Sequence, residues 1–374
     1  MKLLKGCLIV LGVIFIYSCQ KLSDAKLTPL SLDLPEVPYS YISDTANNNI
    51  PTLGRVLFYD TRLSASNAVA CASCHKQALA FSDNAKFSQG FAGQLTGRNS
   101  MPIQNLSPVR RIIESGGVLV DSVFMFSNTA LFWDGREDLL DAMVLRPITN
   151  HVEMGMTLGE LTAKLSQLSE YKPLFKKAYG SEEITEGKIG VAIGQFVACI
   201  NSTHSKFDEY VKGNVQLSAT EVTGMNLFLT KYNCNNCHQV VPDGFSIYQF
   251  QDFIDIGLDQ VPQDPGRADV TQNSQDVGKF KIPTLRNVAL TAPYMHDGRF
   301  ATLEEVIDHY SDHIEPSETL SPSLKDSANI PTRLRLTKQE KSDLLAFLHT
   351  LTDTAFITDP RHADPFTATT KSSR

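Results

Sequence analysis

The sequence carries the same five-residue motif, Cys-x-x-Cys-His, at positions 71–75 and 234–238. This is the attachment motif of c-type haem. Two thiols about one helical turn apart can add to the two vinyl groups of one porphyrin, and the next histidine then lies under the iron as its proximal ligand. The two motifs therefore predict two covalently bound haem c groups. The expected attachment residues and iron ligands are Cys71, Cys74 and His75 for the first haem, and Cys234, Cys237 and His238 for the second.

A zinc site, a thioredoxin-like redox pair and unlinked cysteines are the alternative interpretations of these motifs. A zinc site would combine both cysteine pairs around one ion, but the pairs are far apart in the sequence and each brings its own histidine. Of the seven cysteines, Cys7 is expected to be removed with an N-terminal signal peptide, and Cys19 is expected to carry a lipid. Cys199 lies in an apolar helical pattern that favours an inert buried thiol. The spacing therefore favours haem, and no disulfide framework is expected.

The N-terminus has the pattern of an exported lipoprotein. A basic start, an apolar run too short to cross a bilayer and a small cleavage region predict a signal peptide over residues 1–18. Cys19 is the expected lipidated first residue, with an ordinary secretory peptide as the alternative. Residues 19–49, rich in Ser, Pro, Asp and Asn, are expected to be a flexible tether. Export to the periplasmic side suits haem c, which is attached outside the cytoplasm.

Helical patterns dominate the rest of the chain and repeat in two halves. Capping boxes at Ser218-x-x-Glu221 and Thr337-x-x-Glu340 predict the first and last helices of the second half. An apolar stripe over 189–200 marks the closing helix of the first half. We therefore expect a mainly α fold of two cytochrome c-like lobes, each binding one covalent haem, packed around an inter-haem interface. The expected N-terminal lobe is 50–203, the C-terminal lobe is 204–356 and a polar C-terminal tail is 357–374.

Four short strings carry a resemblance to a known family. They are Phe-Trp-Asp-Gly-Arg at 132–136, Pro-Ile-Thr-Asn-His-Val-Glu-Met-Gly at 147–155, Pro-Thr-Leu-Arg-Asn at 283–287 and Tyr-Met-His-Asp-Gly at 294–298. With the haem motifs in the same order, the sequence resembles the bacterial di-haem cytochrome c peroxidases and MauG from about residue 50 to 352. The resemblance implies that the N-terminal haem is peroxidatic, with an open iron position, and that the C-terminal haem accepts electrons.

The resemblance also implies roles for individual residues. Glu153, twenty positions after Trp133, is implied to take a proton from one peroxide oxygen and return it to the other. Trp133, the only tryptophan, is implied to lie between the haems and relay electrons, although core packing alone would also explain it. One calcium ion between the lobes is implied, with ligands from Asn99, Thr291 and Pro293.

Two features of the first haem site depart from the usual peroxidase pattern. No histidine occurs between His75 and His151, so the loop histidine that blocks the peroxidatic iron in many of these enzymes is missing. The first haem is therefore expected to be open without reductive activation. Met143 stands where a glutamine is usual, and its side chain cannot donate a hydrogen bond to peroxide.

The expected distal ligand of the second haem also departs from the peroxidase pattern. Tyr310 stands where the peroxidases usually have a methionine. MauG-type enzymes have a tyrosine at this position. A phenolate stabilises ferric iron and lowers the reduction potential relative to a thioether. His309 and Met295 are the alternative ligands, and on one helix only one of His309 and Tyr310 can face the iron, because neighbouring side chains point about 100° apart.

These features support three functional hypotheses. The first is a peroxidase that reduces hydrogen peroxide to water with electrons from a small c-type cytochrome or cupredoxin. The second is a MauG-like oxidase that modifies side chains of a partner protein, and the third is a non-catalytic electron-transfer cytochrome. A homodimer is a possible assembly, and membrane contact is expected through the lipid anchor only. The formal net charge of −7 argues against nucleic acid as a partner, because such binding rests on basic surface.

Overall fold

The structure, a computed structural model, describes residues 48–106, 127–241 and 252–366, together with the short segments 114–115, 118–119 and 244–245. The expected signal peptide, Cys19 and the tether up to residue 47 lie outside these ranges. Within them, no helix has both the length and the apolar composition needed to cross a bilayer. The helices are α1 Asn49–Tyr59, α2 Cys71–Cys74, α3 Leu140–Met143, α4 Arg146–Thr149, α5 Leu158–Gln167, α6 Tyr171–Tyr179, α7 Glu186–Ala198, α8 Lys206–Val211, α9 Ala219–Asn226, α10 Ala268–Thr271, α11 Leu303–Asp312 and α12 Lys338–His349.

The strands are short, and each pairs with one neighbour in an antiparallel two-stranded sheet. The fold of the described residues is therefore mainly helical, as the sequence predicts. The pairs are β1 Glu114–Ser115 with β2 Val118–Leu119, β3 Ser127–Leu131 with β4 Glu137–Leu139, β5 Val240–Val241 with β6 Gly244–Phe245, and β7 Phe253–Ile254 with β8 Phe280–Lys281.

The core of the N-terminal lobe forms where α1 crosses α7. The rings of Phe58 and Phe196, both buried, lie 5.2 Å apart between these helices, and α5 and α6 cover the same core. Gly54 lies at the crossing, where a Cβ atom would stand 1.9 Å from the carbonyl oxygen of Ala192. The two backbones can approach this closely only because residue 54 has no side chain.

The C-terminal lobe repeats this arrangement with α9 and α12. The rings of Phe228 and Phe347 lie 5.4 Å apart, and a Cβ atom at Gly224 would stand 1.9 Å from the carbonyl oxygen of Asp343. The predicted capping boxes at the starts of α9 and α12 are both present. A π-helical segment, Leu227–Lys231, continues α9 toward the second haem motif. In each lobe a first helix and a closing helix therefore pack through a glycine, with the haem motif after the first helix.

The Gly54→Ala variant tests this crossing. We expect it to lower the free energy of unfolding of the N-terminal lobe by about 3 kcal/mol, because the added methyl group meets backbone atoms that cannot rotate away. The matched control is Gly187→Ala in α7, where a Cβ atom meets nothing within 4 Å. That variant should be neutral or stabilising by up to about 1 kcal/mol, since alanine is the better helix former. Urea unfolding measures both, and equal stability of the two variants would contradict the close crossing.

Polar contacts join the two lobes. Arg98 of the N-terminal lobe pairs with Asp134 at 2.5 Å and with Asp264 of the C-terminal lobe at 2.7 Å. The side chain of Asn287 donates a hydrogen bond to Gln104 at 2.6 Å, and both residues are buried. A buried polar network of this kind requires one relative placement of the lobes, because any other would leave its members without partners.

The end of the described chain returns to the N-terminal lobe. Phe356 is buried among N-terminal core residues, and Phe366 packs at the edge of the same core. The buried guanidinium of Arg55 donates hydrogen bonds to the carbonyl oxygens of Pro360 and Arg361. The interpretation of 357–374 as a polar tail missed this packing, because the contacts of residues 357–366 depend mostly on backbone carbonyls. Residues 367–374 lie outside the described part.

Candidate functional site

The first haem motif begins at the short helix α2, which carries both cysteines. The next residue, His75, has its Nδ1 atom 3.1 Å from the carbonyl oxygen of Phe81. Because Nδ1 donates a hydrogen to that oxygen, Nε2 keeps its lone pair and can bind iron. Burial lowers the pKa of His75, which further favours the neutral imidazole that a metal requires.

A cavity of about 460 Å³ opens beside this motif. Its volume lies in the range of cofactor sites. The lining brings together residues that are far apart in the sequence. It includes all the residues predicted for the first haem site, the methionine that stands where a glutamine is usual, and one of the expected calcium ligands. These are Cys71, Cys74, His75, Asn99, Trp133, Met143 and Glu153.

The thiols of the motif are neutral rather than activated. Burial raises the pKa of Cys71 to about 12 and also raises that of Cys74. Redox-active Cys-x-x-Cys pairs have a thiol with a lowered pKa, so the environment does not suit the thioredoxin-like alternative. None of the five cysteines of the described residues forms a disulfide bond, and those residues hold no group of three or more His, Cys, Asp and Glu side chains placed around one metal ion. The two thiols, the neutral imidazole and the adjacent cavity fit a covalent haem.

Glu153 lies in a tight turn after α4. Asn150 Nδ2 donates a 2.7 Å hydrogen bond to Glu153 Oε1, and the backbone N–H groups of Glu153 and Gly155 both donate to the Asn150 carbonyl oxygen. Burial raises the pKa of Glu153, while the positive charge of Arg136 and the hydrogen bond from Asn150 act to lower it. A carboxyl group with a raised pKa is suited to both accept and return a proton.

A second cavity, of about 310 Å³, shares most of its lining with the first, including Glu153. It is lined by Phe132, Arg136, Arg146, Pro147, Asn150 and Glu153, and all of these except Arg146 also line the larger cavity. Arg136 and Arg146 are largely exposed. The glutamate therefore lines both the larger cavity and the second cavity, whose lining also includes two arginine side chains.

Trp133 is buried at the junction of the lobes. Its Nε1 atom donates a 2.9 Å hydrogen bond to the carbonyl oxygen of Asn99. Its own carbonyl oxygen accepts a 2.8 Å hydrogen bond from the N–H group of Lys281 in the C-terminal lobe. The tryptophan thus touches both lobes while it lines the first cavity.

The second haem motif has the same histidine arrangement as the first. Nδ1 of His238 lies 3.2 Å from the carbonyl oxygen of Pro283. Burial lowers the pKa of His238 to about 4 and raises that of the Cys234 thiol to about 11. The residues again fit a covalent haem, with Nε2 of a neutral imidazole left for the iron.

Tyr310 and His309 face different surroundings from neighbouring positions of α11. Burial, together with the nearby Cys237 and Cys234, raises the pKa of Tyr310 well above its usual range, so the phenol lies near the second haem motif. His309 Nε2 is instead 3.0 Å from the carbonyl oxygen of Ile256. Met295, the third alternative, lies in a turn with a φ angle of 74°. Of the two neighbouring residues on α11, Tyr310 is the one whose pKa is affected by the haem-binding cysteines.

The three residues expected to bind calcium lie in one region of the lobe junction. The N–H group of Asn99 donates a 2.7 Å hydrogen bond to the carbonyl oxygen of His296, three positions after Pro293. The Asn99 Nδ2 atom points to the carbonyl oxygen of Ala85 at 3.0 Å, and Thr291 Oγ1 donates to the carbonyl oxygen of Val288. Backbone carbonyl groups suit calcium, but calcium binding at these residues stays a prediction.

Several residues of the site were not predicted from the sequence. Asn150 and Arg136, which set the electrostatics of Glu153, lie inside the family strings but had no role assigned. Lys281 is buried in the wall of the first cavity, and burial lowers its pKa to about 7. The carbonyl groups of Phe81 and Pro283 carry no sequence signal, because every residue has one.

The chain matches a family of known proteins. The family model described as di-haem cytochrome c peroxidase matches residues 48–216. The chain is 34% identical to the methylamine utilization protein MauG of Methylorubrum extorquens over 83% of this chain and 80% of that protein. It is 32% identical to the cytochrome c551 peroxidase of Nitrosomonas europaea over 91% of this chain and 88% of that protein.

A solved structure shows the same similarity in three dimensions. The crystal structure of a MauG-like protein associated with microbial copper homeostasis has a TM-score of 0.72 and 32% identity to the chain, and the match covers 91% of this chain and 98% of that one. The family is di-haem, so it implies two haem c groups at the motifs described above. The chain therefore belongs to the di-haem cytochrome c peroxidase family.

Proposed function

We propose that the protein is a peroxidase that reduces hydrogen peroxide to water at the N-terminal haem. The observation that carries the proposal is the position of Glu153, which lines both the cavity beside Cys71, Cys74 and His75 and a second cavity with two arginine side chains in its wall. A plain electron-transfer cytochrome needs no carboxyl group at such a place. The reaction consumes one peroxide, two electrons and two protons and yields two water molecules.

Glu153 supplies the proton transfer of this reaction. Cys71, Cys74 and His75 would hold a haem, which would supply the iron needed for the redox chemistry. The carboxylate of Glu153 accepts the proton of the nearer peroxide oxygen and returns it to the farther oxygen, which leaves as water. Asn150 holds the carboxyl group in place through its 2.7 Å hydrogen bond. The positive charge of Arg136 acts against burial and lowers the pKa of Glu153, although burial has the larger effect.

The open distal side of the first haem is part of the proposal. His75 is the one histidine among the residues that line the larger cavity, and the sequence has no histidine between 75 and 151. His151 itself is exposed. In this proposal no histidine has to leave the iron before peroxide can bind, so the site needs no prior reduction.

In this proposal, Cys234, Cys237 and His238 would hold the haem that accepts electrons, and Trp133 would relay them toward the N-terminal site. The contacts of Trp133 with both lobes support this role, since it bonds to Asn99 on one side and to Lys281 on the other. A small c-type cytochrome or cupredoxin on the periplasmic side is the proposed donor. Calcium at Asn99, Thr291 and Pro293 and a lipid at Cys19 are parts of the same proposal.

A MauG-like oxidase is the second candidate function. The observation that favours it is the nearness of Tyr310 to the second cysteine pair, because a tyrosinate ligand stabilises high oxidation states. In this alternative, the oxidising equivalents reach side chains of a partner protein. Loss of a partner tyrosine or tryptophan upon peroxide addition, without oxidation of a small donor, would distinguish it from the peroxidase.

The pH profile of peroxide turnover tests the proposed role of Glu153. Turnover needs the carboxylate, so it should fall as pH drops through the raised pKa of Glu153. The Arg136→Gln variant removes the charge that lowers this pKa. The acidic limb of its profile should therefore move to higher pH, while turnover on the alkaline side stays close to that of the wild type. The measurement is steady-state oxidation of a reduced small cytochrome or dye by hydrogen peroxide.

Arg146→Gln is the matched control for this experiment. Arg146 also lines the smaller cavity, but it pairs with Glu137 at 2.9 Å. It is not among the groups that change the pKa of Glu153. Its acidic limb should match the wild type. If the acidic limb of the pH profile were the same in all three proteins, the role of Glu153 would be contradicted. If the wild type showed no peroxide turnover, the proposed function would be overturned.

A further inference from the structure

The chain end that returns to the N-terminal lobe lies against the loop of the proximal histidine. We name residues Phe356–Phe366 the C-terminal strap. Gln77, two positions after His75, donates hydrogen bonds from Nε2 to the carbonyl oxygens of Phe356 at 3.3 Å and Asp359 at 2.9 Å. The strap therefore holds the start of the loop that follows the haem motif.

The strap also packs on the other end of this loop. The ring of Phe81 lies 5.6 Å from that of Phe356 and 6.2 Å from that of His362. Phe81 and the preceding Ala80 have φ angles of 58° and 53°. A bulky residue with a positive φ angle is an outlier that persists only where the surroundings enforce it. The two aromatic groups of the strap supply part of those surroundings.

Phe81 matters because its carbonyl oxygen accepts the hydrogen bond from His75. The oxygen is 3.1 Å from His75 Nδ1 and also accepts a 3.3 Å hydrogen bond from the N–H group of Ile103. A carbonyl group at Nδ1 sets the orientation of a ligating imidazole and raises its basicity. Its direction depends on the backbone conformation of Phe81, which the strap contacts.

The strap is itself firmly anchored. Arg55, only 1% exposed, donates to the carbonyl oxygens of Pro360 and Arg361 at 3.1 and 2.9 Å. Tyr59 donates to the carbonyl oxygen of His362 at 2.8 Å. The Nε2 atom of His362, which is buried, lies 3.1 Å from the carbonyl oxygen of Cys199. These contacts tie the strap to α1 and to the end of α7.

We propose that the C-terminal strap is a positioning element for the proximal histidine of the N-terminal haem. It acts through Gln77 and Phe81, which fix the carbonyl group that orients His75. The inference rests on the proposed haem at 71–75. The second haem provides an internal reference, because His238 bonds to Pro283 of the C-terminal lobe, whereas the strap contacts described above are with the N-terminal lobe.

The test uses the full holoprotein and three strap-related variants, Gln77→Ala, Phe356→Ala and His362→Ala. Resonance Raman spectroscopy of the ferrous protein measures the iron–histidine stretching band, and redox titration separates the two haems. A weaker bond to His75 Nδ1 makes the imidazole less basic. We expect the N-terminal band to move to lower frequency and the N-terminal reduction potential to become more positive, with the reduction potential of the C-terminal haem unchanged.

Two further variants separate positioning from stability. Leu165→Ala removes a fully buried side chain of the same core in α5, so it should lower the melting temperature without moving either haem signal. His362→Gln keeps a donor for the Cys199 carbonyl oxygen and should restore part of the wild-type signal. Gln77→Ala removes only two hydrogen bonds, so this variant is expected to fold. It can therefore be measured even if the larger truncations unfold the protein.

Each outcome decides the inference. Strap variants that lose stability like Leu165→Ala but keep the wild-type N-terminal band and potential overturn the role of the strap alone. A wild type without a histidine-ligated haem at 71–75 overturns the strap inference together with the proposed function. A shift confined to the N-terminal haem, partly restored in His362→Gln, supports positioning.

Discussion

Replacing Glu153 with glutamine is expected to lower kcat for peroxide reduction by about 10²–10⁴-fold, the usual contribution of a positioned acid–base group. This corresponds to roughly 3–5 kcal/mol of transition-state stabilisation. The amide has the shape of the carboxyl group and can still accept the hydrogen bond from Asn150. It cannot take up a proton at these pH values, so the effect should fall on kcat. Steady-state turnover with a reduced donor measures it.

The haem content and the ferric absorption spectrum of Glu153→Gln should match the wild type, which shows that the loss is chemical. Glu186→Gln is the matched control, because Glu186 is an exposed carboxylate in the first turn of α7. It should retain full turnover. If Glu153→Gln also kept full activity, the proton would have to move through another group, and the assignment of Glu153 would be wrong.

Replacing Tyr310 with phenylalanine is expected to remove the distal ligand of the C-terminal haem. The wild-type ferric protein should show one high-spin and one low-spin haem, and the low-spin component should be lost or strongly altered in the variant. The reduction potential of this haem should become more positive, by on the order of 0.1 V, because a phenolate stabilises ferric iron and axial ligands span about 0.8 V. Electron paramagnetic resonance and redox titration measure the two effects.

Tyr294→Phe is the matched control for this substitution. Tyr294 packs against the same C-terminal core, and its hydroxyl group donates to the carbonyl oxygen of Val288 at 2.9 Å. Losing that bond should cost about 1 kcal/mol of stability without a spectral change. An unchanged low-spin signal in Tyr310→Phe would exclude tyrosine ligation and direct attention to His309 or Met295. His309 would then have to leave the Ile256 carbonyl oxygen that it contacts.

The sequence by itself determined the features that depend on neighbouring residues. The spacing of Cys71, Cys74 and His75 predicted haem attachment, because two thioether bonds and a proximal ligand need only one short stretch of chain. The capping boxes at Ser218 and Thr337 predicted helix starts for the same reason, since their hydrogen bonds span three residues. Both kinds of feature are local, so a one-dimensional pattern contains them.

The resemblance to a family took the prediction of the site further than spacing could. Glu153 and Trp133 have no local signature of their own, and only the family strings singled them out. The structure brings both to the cavity beside His75. The sequence left open whether Tyr310 or His309 faces the second haem motif. The structure distinguishes them, because the two side chains meet different partners.

Only the tertiary structure decided which distant groups meet. The carbonyl oxygens of Phe81 and Pro283 orient the two proximal histidines, and the strap around His362 returns to the N-terminal lobe through bonds to backbone atoms. Backbone carbonyl groups occur at every residue, so no side-chain pattern marks those that will be used. Their selection depends on how the helices cross, and that depends on packing between residues more than a hundred positions apart.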